Sequence, residues 1–304
     1  MSILFHTTVP FDYAAAKRAA DAAAAKENDA AFANLYLLRE KYGTEIAFSD
    51  GFLLRRYSSG IRSGCYGFPV GQGDLKNAVK LLCADAAARK QLFRMTLLTA
   101  AQCEQLSAIF PDSFTFEPMP DYTEYLYLQD NLASLRGSKY HGKRNHIAQF
   151  WRAYPDACIQ PLIAENADFA VDIARRWLSA RMNPEDASLR YEFSCIAEAC
   201  ANWDALHLSG LLLYVSEQPI GMTIVSEISA GIMDVHFEKV APDYPHAWPV
   251  VANEMAKCLN GAQYLNREED LGESGMRSSK LSYRPDLLNE KYLAVWRGKE
   301  PTTC

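Results

Sequence analysis

The 304-residue sequence has no uninterrupted apolar run approaching the roughly 20 residues that a membrane-crossing helix needs. Its start, MSILFHTTVPFDYAAAKRAADAAAA, lacks the ordered basic, apolar and cleavage regions of a secretion signal, so a soluble cytoplasmic protein is expected. No CxxC pair occurs among the eight cysteines, Cys65, Cys83, Cys103, Cys158, Cys195, Cys200, Cys258 and Cys304. Their wide, irregular spacing argues against a zinc ribbon or a thioredoxin-like site and for dispersed free thiols. An excess of positive charge is also missing. The net charge of −6 gives no general nucleic-acid signature, while a local basic patch would still permit RNA contact. Neither the GxxxxGK[ST] phosphate loop nor the GxGxxG dinucleotide motif is present, and no HExxH pair. His141 and His146 stand five apart with no Cys or carboxylate beside them, so no metal site is expected. What the sequence does have is core-forming capacity. Hydrophobic residues make up 49% against 22% charged, and the length suggests two domains.

Patterning divides the chain into two halves of similar order. An alanine-rich helix is expected from Tyr13 to Tyr42, with a break near Asn28 and a stop at Gly43. Asp50-Gly51 turns the chain into a strand over Phe52–Tyr57, and Ser58–Gly64 turns it again before Cys65–Val70. A helix follows, with Leu75, Ala78, Val79 and Leu82 on one face and Asp74 as its cap. Gln91–Thr99 reads as strand. The character changes near Leu128, which places the boundary between units at 1–135 and 136–304. In the second half, helices over Ala164–Met182 and Pro184–Asp204 precede three antiparallel strands centred on Leu212, Thr223 and Val235. A helix from PHAWPVV to a stop near Gly261 and a strand over AQYLN then follow. Consecutive hairpins near 210–238 count against a doubly wound parallel sheet. They favour two related mixed α/β (α+β) units.

Four segments carry chemistry. GSKYHGKRNHIAQFWR (137–152) holds Lys139, Lys143, Arg144 and Arg152 without an acidic residue, and could bind RNA phosphates, a phosphorylated cofactor or an acidic surface. It reads equally as a solvated helix entrance. VGQGDLKNA sets Gly71, Gly73 and Asp74 before a helix, a weak anion loop that a simple capped turn also explains. In MDVHFEK, alternation puts Met233, Val235 and Phe237 on an apolar face and Asp234, His236 and Glu238 on the other, where Glu238 could accept a proton if desolvated. In YLNREEDLGESGMRSSKLSYRP, Glu268 and Asp270 share a side if Asn266–Glu269 stays extended. Arg267, Arg277 and Lys280 return positive charge to the same segment.

The segments FANLYLLREKYGTEIAFSDGFLLRRY, FPVGQGDLKNAV, DYTEYLYLQDNLASLRGSKYHGKRNHIAQF and YLNREEDLGESGMRSSKLSYRP resemble the DUF2156 family, related to the C-terminal catalytic domain of phosphatidylglycerol lysyltransferases. The resemblance implies two tandem GNAT-like units with predominantly antiparallel sheets flanked by helices. It implies acyl transfer from an aminoacyl-tRNA to an unidentified amine or hydroxyl acceptor, with tRNA as a partner. Peripheral lipid contact is a further partner it allows. Mapped onto this chain, Glu268 or Asp270 removes or orients a proton, with Glu238 or His236 on a neighbouring strand. Glu269 supports the loop. Arg267, Arg277 or Lys280 steadies developing negative charge, Asn266 orders the turn, and Lys143 and Arg144 position substrate. Acetyl-CoA-dependent N-acetylation is the neighbouring activity. Against it, APDYPHAWPVV stands where the Arg/Gln-x-x-Gly-x-Gly/Ala pyrophosphate loop is expected. A noncatalytic scaffold using the basic strip for binding is the alternative outside enzymology.

Overall fold

The computed structural model describes residues 3–298, so Cys304 falls outside the described residues. Along the first half, β1 (His6–Thr7) leads into α1 (Tyr13–Ala23), α2 (Phe32–Leu37) and α3 (Arg39–Tyr42), so the expected break near Asn28 separates α1 from α2. Next come β2 (Thr44–Ser49), β3 (Phe52–Tyr57), β4 (Cys65–Tyr66), β5 (Val70–Gly71), α4 (Leu75–Ala88), β6 (Arg94–Leu98), α5 (Ala100–Ile109) and β7 (Phe114–Pro118). The chain continues through β8 (Glu124–Leu128), α6 (Gln129–Ser134), α7 (His141–Ala153), β9 (Cys158–Leu162), α8 (Asp168–Ser179) and α9 (Ala187–Ala201). It closes with β10 (Ser209–Val215), β11 (Gln218–Ser229), β12 (Ile232–Val240), α10 (Ala247–Cys258), β13 (Tyr264–Asn266), α11 (Ser274–Leu281), β14 (Leu287–Asn289) and β15 (Tyr292–Trp296).

Local chemistry explains the turns and caps. Asp50 and Gly51 both take positive φ (49° and 84°), the mirror-image turn that matches strand twist, and they join β2 to β3. Ser216 and Glu217 do the same between β10 and β11 (φ 49° and 66°), at some strain because neither is glycine. Asp74 accepts from the Asn77 amide at 3.0 Å and caps α4.

Two mixed, mostly antiparallel sheets result, each flanked by helices, as tandem GNAT-like units require. The first runs β1-β2-β3-β4-β6-β15-β7, with β5 also on β3, and the second runs β14-β8-β13-β12-β11-β10-β9. Neither sheet is built from one side of residue 135 alone. The C-terminal strand β15 pairs with β6 and β7 in the first sheet, and β8 pairs with β13 and β14 in the second. The cores follow this exchange. Helices α4 and α5 cover the outer face of the first sheet through Val79, Leu82 and Leu106, and α10 covers the outer face of the second through Val250, Val251 and Met255. Between the units, Phe32 and Leu35 of α2 pack in one continuous core with Ile46 and Leu53 of the first sheet and Leu212 and Ile224 of the second. Among the described residues no helix is long and apolar enough to cross a membrane.

Candidate active site

The site forms where two parallel strands part. β12 and β13 pair at Ile232↔Tyr264, Met233↔Leu265 and Asp234↔Asn266, after which β13 ends while β12 runs on to Val240. Past Asn266 the chain does not remain extended. Glu268 adopts φ +56°, and its amide donates to the Asn266 side-chain oxygen at 2.8 Å, closing a local turn.

A bulge in β12 decides which side chains face this opening. Ile224 pairs with Phe237 and Val225 with Val235, so His236 is the extra residue. The alternation expected for MDVHFEK therefore breaks in the middle. Met233 and Val235 pack in the outer core, whereas Phe237 joins the core between the units. Asp234 and His236 meet Asn34 of α2, and Glu238 instead pairs with Arg267, which lies over the rings of Tyr127 and Tyr283 on the outer side. The single polar row splits in two because one inserted residue flips every side chain beyond it.

On the inner side, the His236 ring bonds Ser226 Oγ through Nε2 at 2.7 Å and Asn34 Oδ1 through Nδ1 at 3.2 Å. The same Nδ1 lies 3.4 Å from Asp234 Oδ2 and 3.8 Å from Glu268 Oε1. The Asn34 amide bridges the two carboxylates, donating to Asp234 at 2.8 Å and to Glu268 at 3.0 Å. Asp234 is fully buried, and its Oδ1 has no hydrogen-bond partner. Burial, with the charge of Glu268 second, pushes the Asp234 carboxyl well above the usual range. The ligating atoms of Asp234, His236 and Glu268 lie within 4.8 Å of one another and can converge on one cation, a set the histidine spacing did not reveal. Of the three, Glu268 keeps partial exposure, 26% of its side chain, and so can meet a substrate.

A ring of paired groups supports this centre. Lys280 donates to the carbonyls of Arg267 and Glu269, so its ammonium holds the loop that carries Glu268. Burial lowers the Lys280 pKa, with Glu268 and Glu269 opposing. Glu269 accepts from Asn28 Nδ2 at 2.7 Å. Asn266 donates to Glu124 and to the Lys26 carbonyl. Glu124 also accepts from the Asn28 amide and Asn289, and pairs with Lys291 at 2.6 Å. Asp29 pairs with Arg55 at 2.8 Å; burial opposes its ionisation, but Arg55, Lys291 and Arg62 together hold it below the usual carboxylate range.

The remaining expected residues lie elsewhere. Asp270 is tied to Tyr125 Oη (2.5 Å), to Arg277 Nε and a terminal nitrogen (both 2.8 Å) and to the Gly272 amide (2.9 Å). Burial opposes ionisation of Asp270, yet these bonds hold its carboxyl below the usual range. Arg277 is thereby committed to Asp270 and, at 3.1 Å, to Asp121. Lys143 of α7 sits 3.8 Å over the Tyr283 ring, and burial, then Arg267, pushes its amine down to about 8. Arg144 donates to the Leu135 and Gly137 carbonyls, a local clamp. Gly71 and Gly73 lie against the Asp50–Gly51 turn, where a side chain would strike the Gly51 or Asp50 carbonyl, so this loop packs closely on a neighbouring turn. Sequence reasoning missed Asn28, Asn34, Glu124 and Lys291. Asn34 carries no local signal, but a glutamate at the head of the apolar run YLYL is a signal that Glu124 is partnered.

The family model described as phosphatidylglycerol lysyltransferase, C-terminal, matches residues 21–295. No curated protein matches the sequence. Among solved structures, a conserved protein of unknown function from Bacteroides thetaiotaomicron is 31% identical, with 97% of this chain and 100% of that one covered and a TM-score of 0.93. The C-terminal DUF2156 domain of a protein named for lysylphosphatidylglycerol synthetase, from Agrobacterium fabrum, is 13% identical over 94% of this chain and 92% of that one, with a TM-score of 0.66. L-PGS from Bacillus licheniformis is 15% identical over 90% and 89%, with a TM-score of 0.62, a likeness of fold. With the model spanning nearly all of the described residues, the chain belongs to the phosphatidylglycerol lysyltransferase C-terminal domain family.

Proposed function

We propose that the protein is an acyltransferase that moves an aminoacyl group from an aminoacyl-tRNA to an amine or hydroxyl acceptor. The observation that carries this reading is the Asp234–His236–Glu268 centre at the point where β12 and β13 separate. Diverging parallel strands leave backbone donors and acceptors without a strand partner, and an acyl donor can pair with them there. Glu268, the accessible member, takes the proton from the attacking amine or hydroxyl. That nucleophile's lone pair forms the new bond to the donor's ester carbonyl. The carbon–oxygen bond to the tRNA terminal ribose breaks, and the ribose oxygen leaves with a proton. His236, held between Ser226 and Asn34, fixes the geometry of Glu268 through Asn34. Arg267 and Lys280 act as positioning residues, because their charges are engaged by Glu238 and by loop carbonyls.

The name of the family supports a lysyl donor and a phosphatidylglycerol acceptor as the first pair to try. Acetyl-CoA is the competing donor. A cleft of about 410 Å³ does open beside the Ala241–Pro245 loop, but Trp177, Arg181, Tyr244 and Trp248 line it, with no glycine amides for a pyrophosphate. The test is a mass-spectrometric screen of products with a charged tRNA pool or acetyl-CoA as donor, across amines, amino acids and phosphatidylglycerol. Aminoacyl products that vanish in Glu268→Gln support the reading. Products formed only from acetyl-CoA, or unchanged in the variant, reject it.

A further inference from the structure

Asp29, Glu124 and Asp270 are buried acids near the site, and each has a basic partner, in Arg55, Lys291 and Arg277. Asp234 and Glu268 are different. Among the described residues no lysine or arginine forms an ion pair with either, and His236 is the one basic group within ion-pair distance of them. Hydrogen bonds do not make up the deficit. Asn34 Nδ2 carries two hydrogens yet faces three acceptors, the Asn28 carbonyl at 3.0 Å, Asp234 Oδ2 at 2.8 Å and Glu268 Oε1 at 3.0 Å. Asp234 Oδ1, in a residue with 0% exposure, has no donor at all. An enclosed group with more acceptors than donors is costly, and a cation relieves it. A proton serves one oxygen at a time, whereas a divalent ion serves all of them.

The spacing fits one ion. His236 Nδ1 lies 3.4 Å from Asp234 Oδ2 and 3.8 Å from Glu268 Oε1, and the three ligand atoms fall within 4.8 Å of one another. Zinc bonded at about 2.0–2.2 Å in four-coordinate geometry sets its ligands about 3.3–3.6 Å apart. Six-coordinate magnesium would draw adjacent ligands to about 3 Å. Donor chemistry agrees, since imidazole suits zinc and not magnesium or calcium. The ring is also buttressed as metal-binding histidines are. With Nε2–H donating to Ser226 Oγ at 2.7 Å, the Nδ1 lone pair faces the two carboxylates. The His236 and Asp234 side chains are 1% and 0% exposed, so Glu268, at 26%, is where an ion enters and where water supplies the fourth ligand. The Asn34 amide, which bridges the two carboxylates, is the neutral group that the ion displaces.

We propose that Asp234, His236 and Glu268 bind a zinc ion. While the ion is held, Glu268 has no lone pair free for a proton, so zinc silences the transfer. That consequence rests on the acyl-transfer reading; the binding itself does not. The experiment is isothermal titration of the chelator-stripped protein with zinc and, separately, magnesium chloride, with no acyl donor present. One zinc per chain is expected, bound more tightly than magnesium. Cobalt(II) in its place should give the intense visible absorption of a four-coordinate ion. Ser226→Ala, which touches only the far nitrogen of the ring, should weaken zinc by about tenfold, and Glu268→Gln, which removes a charged ligand, by about 100-fold or more. Should Ser226→Ala unfold by circular dichroism, Glu268→Gln, at a partly exposed position, carries the test. Zinc that binds no better than magnesium overturns the proposal. So does zinc binding unchanged in folded Glu268→Gln, as it would be on the exposed Cys158 or Cys258 thiols. Zinc held by Glu268 in a protein that transfers no aminoacyl group would uphold this site while rejecting the transfer reaction.

Discussion

Replacing either partner of the Glu124–Lys291 pair should cost more stability than any other single change near the site. Both side chains are 1% exposed, and their charged atoms are 2.6 Å apart. Burial pushes the Glu124 carboxyl up to about 7 even with Lys291 opposing, so removing one partner forces the other either to stay charged out of water or to give up its charge, a loss of about 3–5 kcal/mol. Whole domains are stable by only about 5–15 kcal/mol, so the effect is large. The pair also pins the strand exchange, because Glu124 opens β8 of the second sheet and Lys291 immediately precedes β15 of the first. Glu124→Gln keeps an oxygen for Asn266 or Asn289 but strands the ammonium; Lys291→Met keeps the aliphatic stem but strands the carboxylate. The double variant removes both charges and should recover at least about 2 kcal/mol relative to the sum of the singles. Urea denaturation at pH 7.5, followed by tryptophan fluorescence, measures all four proteins. Single variants within about 1 kcal/mol of the unaltered protein, the range of an exposed pair, would refute the reasoning. So would a double variant that is merely additive.

Asp270→Asn should lower Tm and flatten the acid limb of stability. Its carboxyl titrates below the usual range when folded, so its contribution is present above about pH 4 and lost as pH falls through the folded value. Melts between pH 2.5 and 6 check this, and an acid limb unchanged from the unaltered protein counts against it. Gly71→Ala should destabilise by about 1–3 kcal/mol, because φ is +144° and the new methyl would strike the Gly51 carbonyl. A melt indistinguishable from that of the unaltered protein would show that the loop yields.

The elements were legible because each rests on local chemistry. Asp50-Gly51 announces its turn, Asp74 its cap, and the β-branched run of β11 its strand. Sheet membership was not, because β15 and β8 are placed by pairing with strands far away in sequence, and nothing in YLAVW specifies β6 and β7 as neighbours. The acidic segment containing Glu268 and the MDVHFEK strand were both recognisable from composition. Their geometry was hidden by two backbone events that side-chain patterning does not encode, the bulge at His236 and the left-handed turn at Glu268. Asn34, which joins these two segments, lies 200 residues from Asp234, so only the fold brings them together.

The insertion of β15 between β6 and β7 has a consequence for biosynthesis. β6 and β7 leave the ribosome long before β15 does, with the edges that β15 will occupy still open. Until that strand arrives, the first sheet cannot close, and the tryptophan that completes its aromatic cluster with Phe93, Phe110 and Phe114 is absent. The usual order in which an N-terminal unit matures while the rest is still being translated is therefore unavailable to this chain. Both units must finish together, and a nascent chain stalled before Tyr292 would expose two adhesive strand edges to chaperones or to other copies of itself.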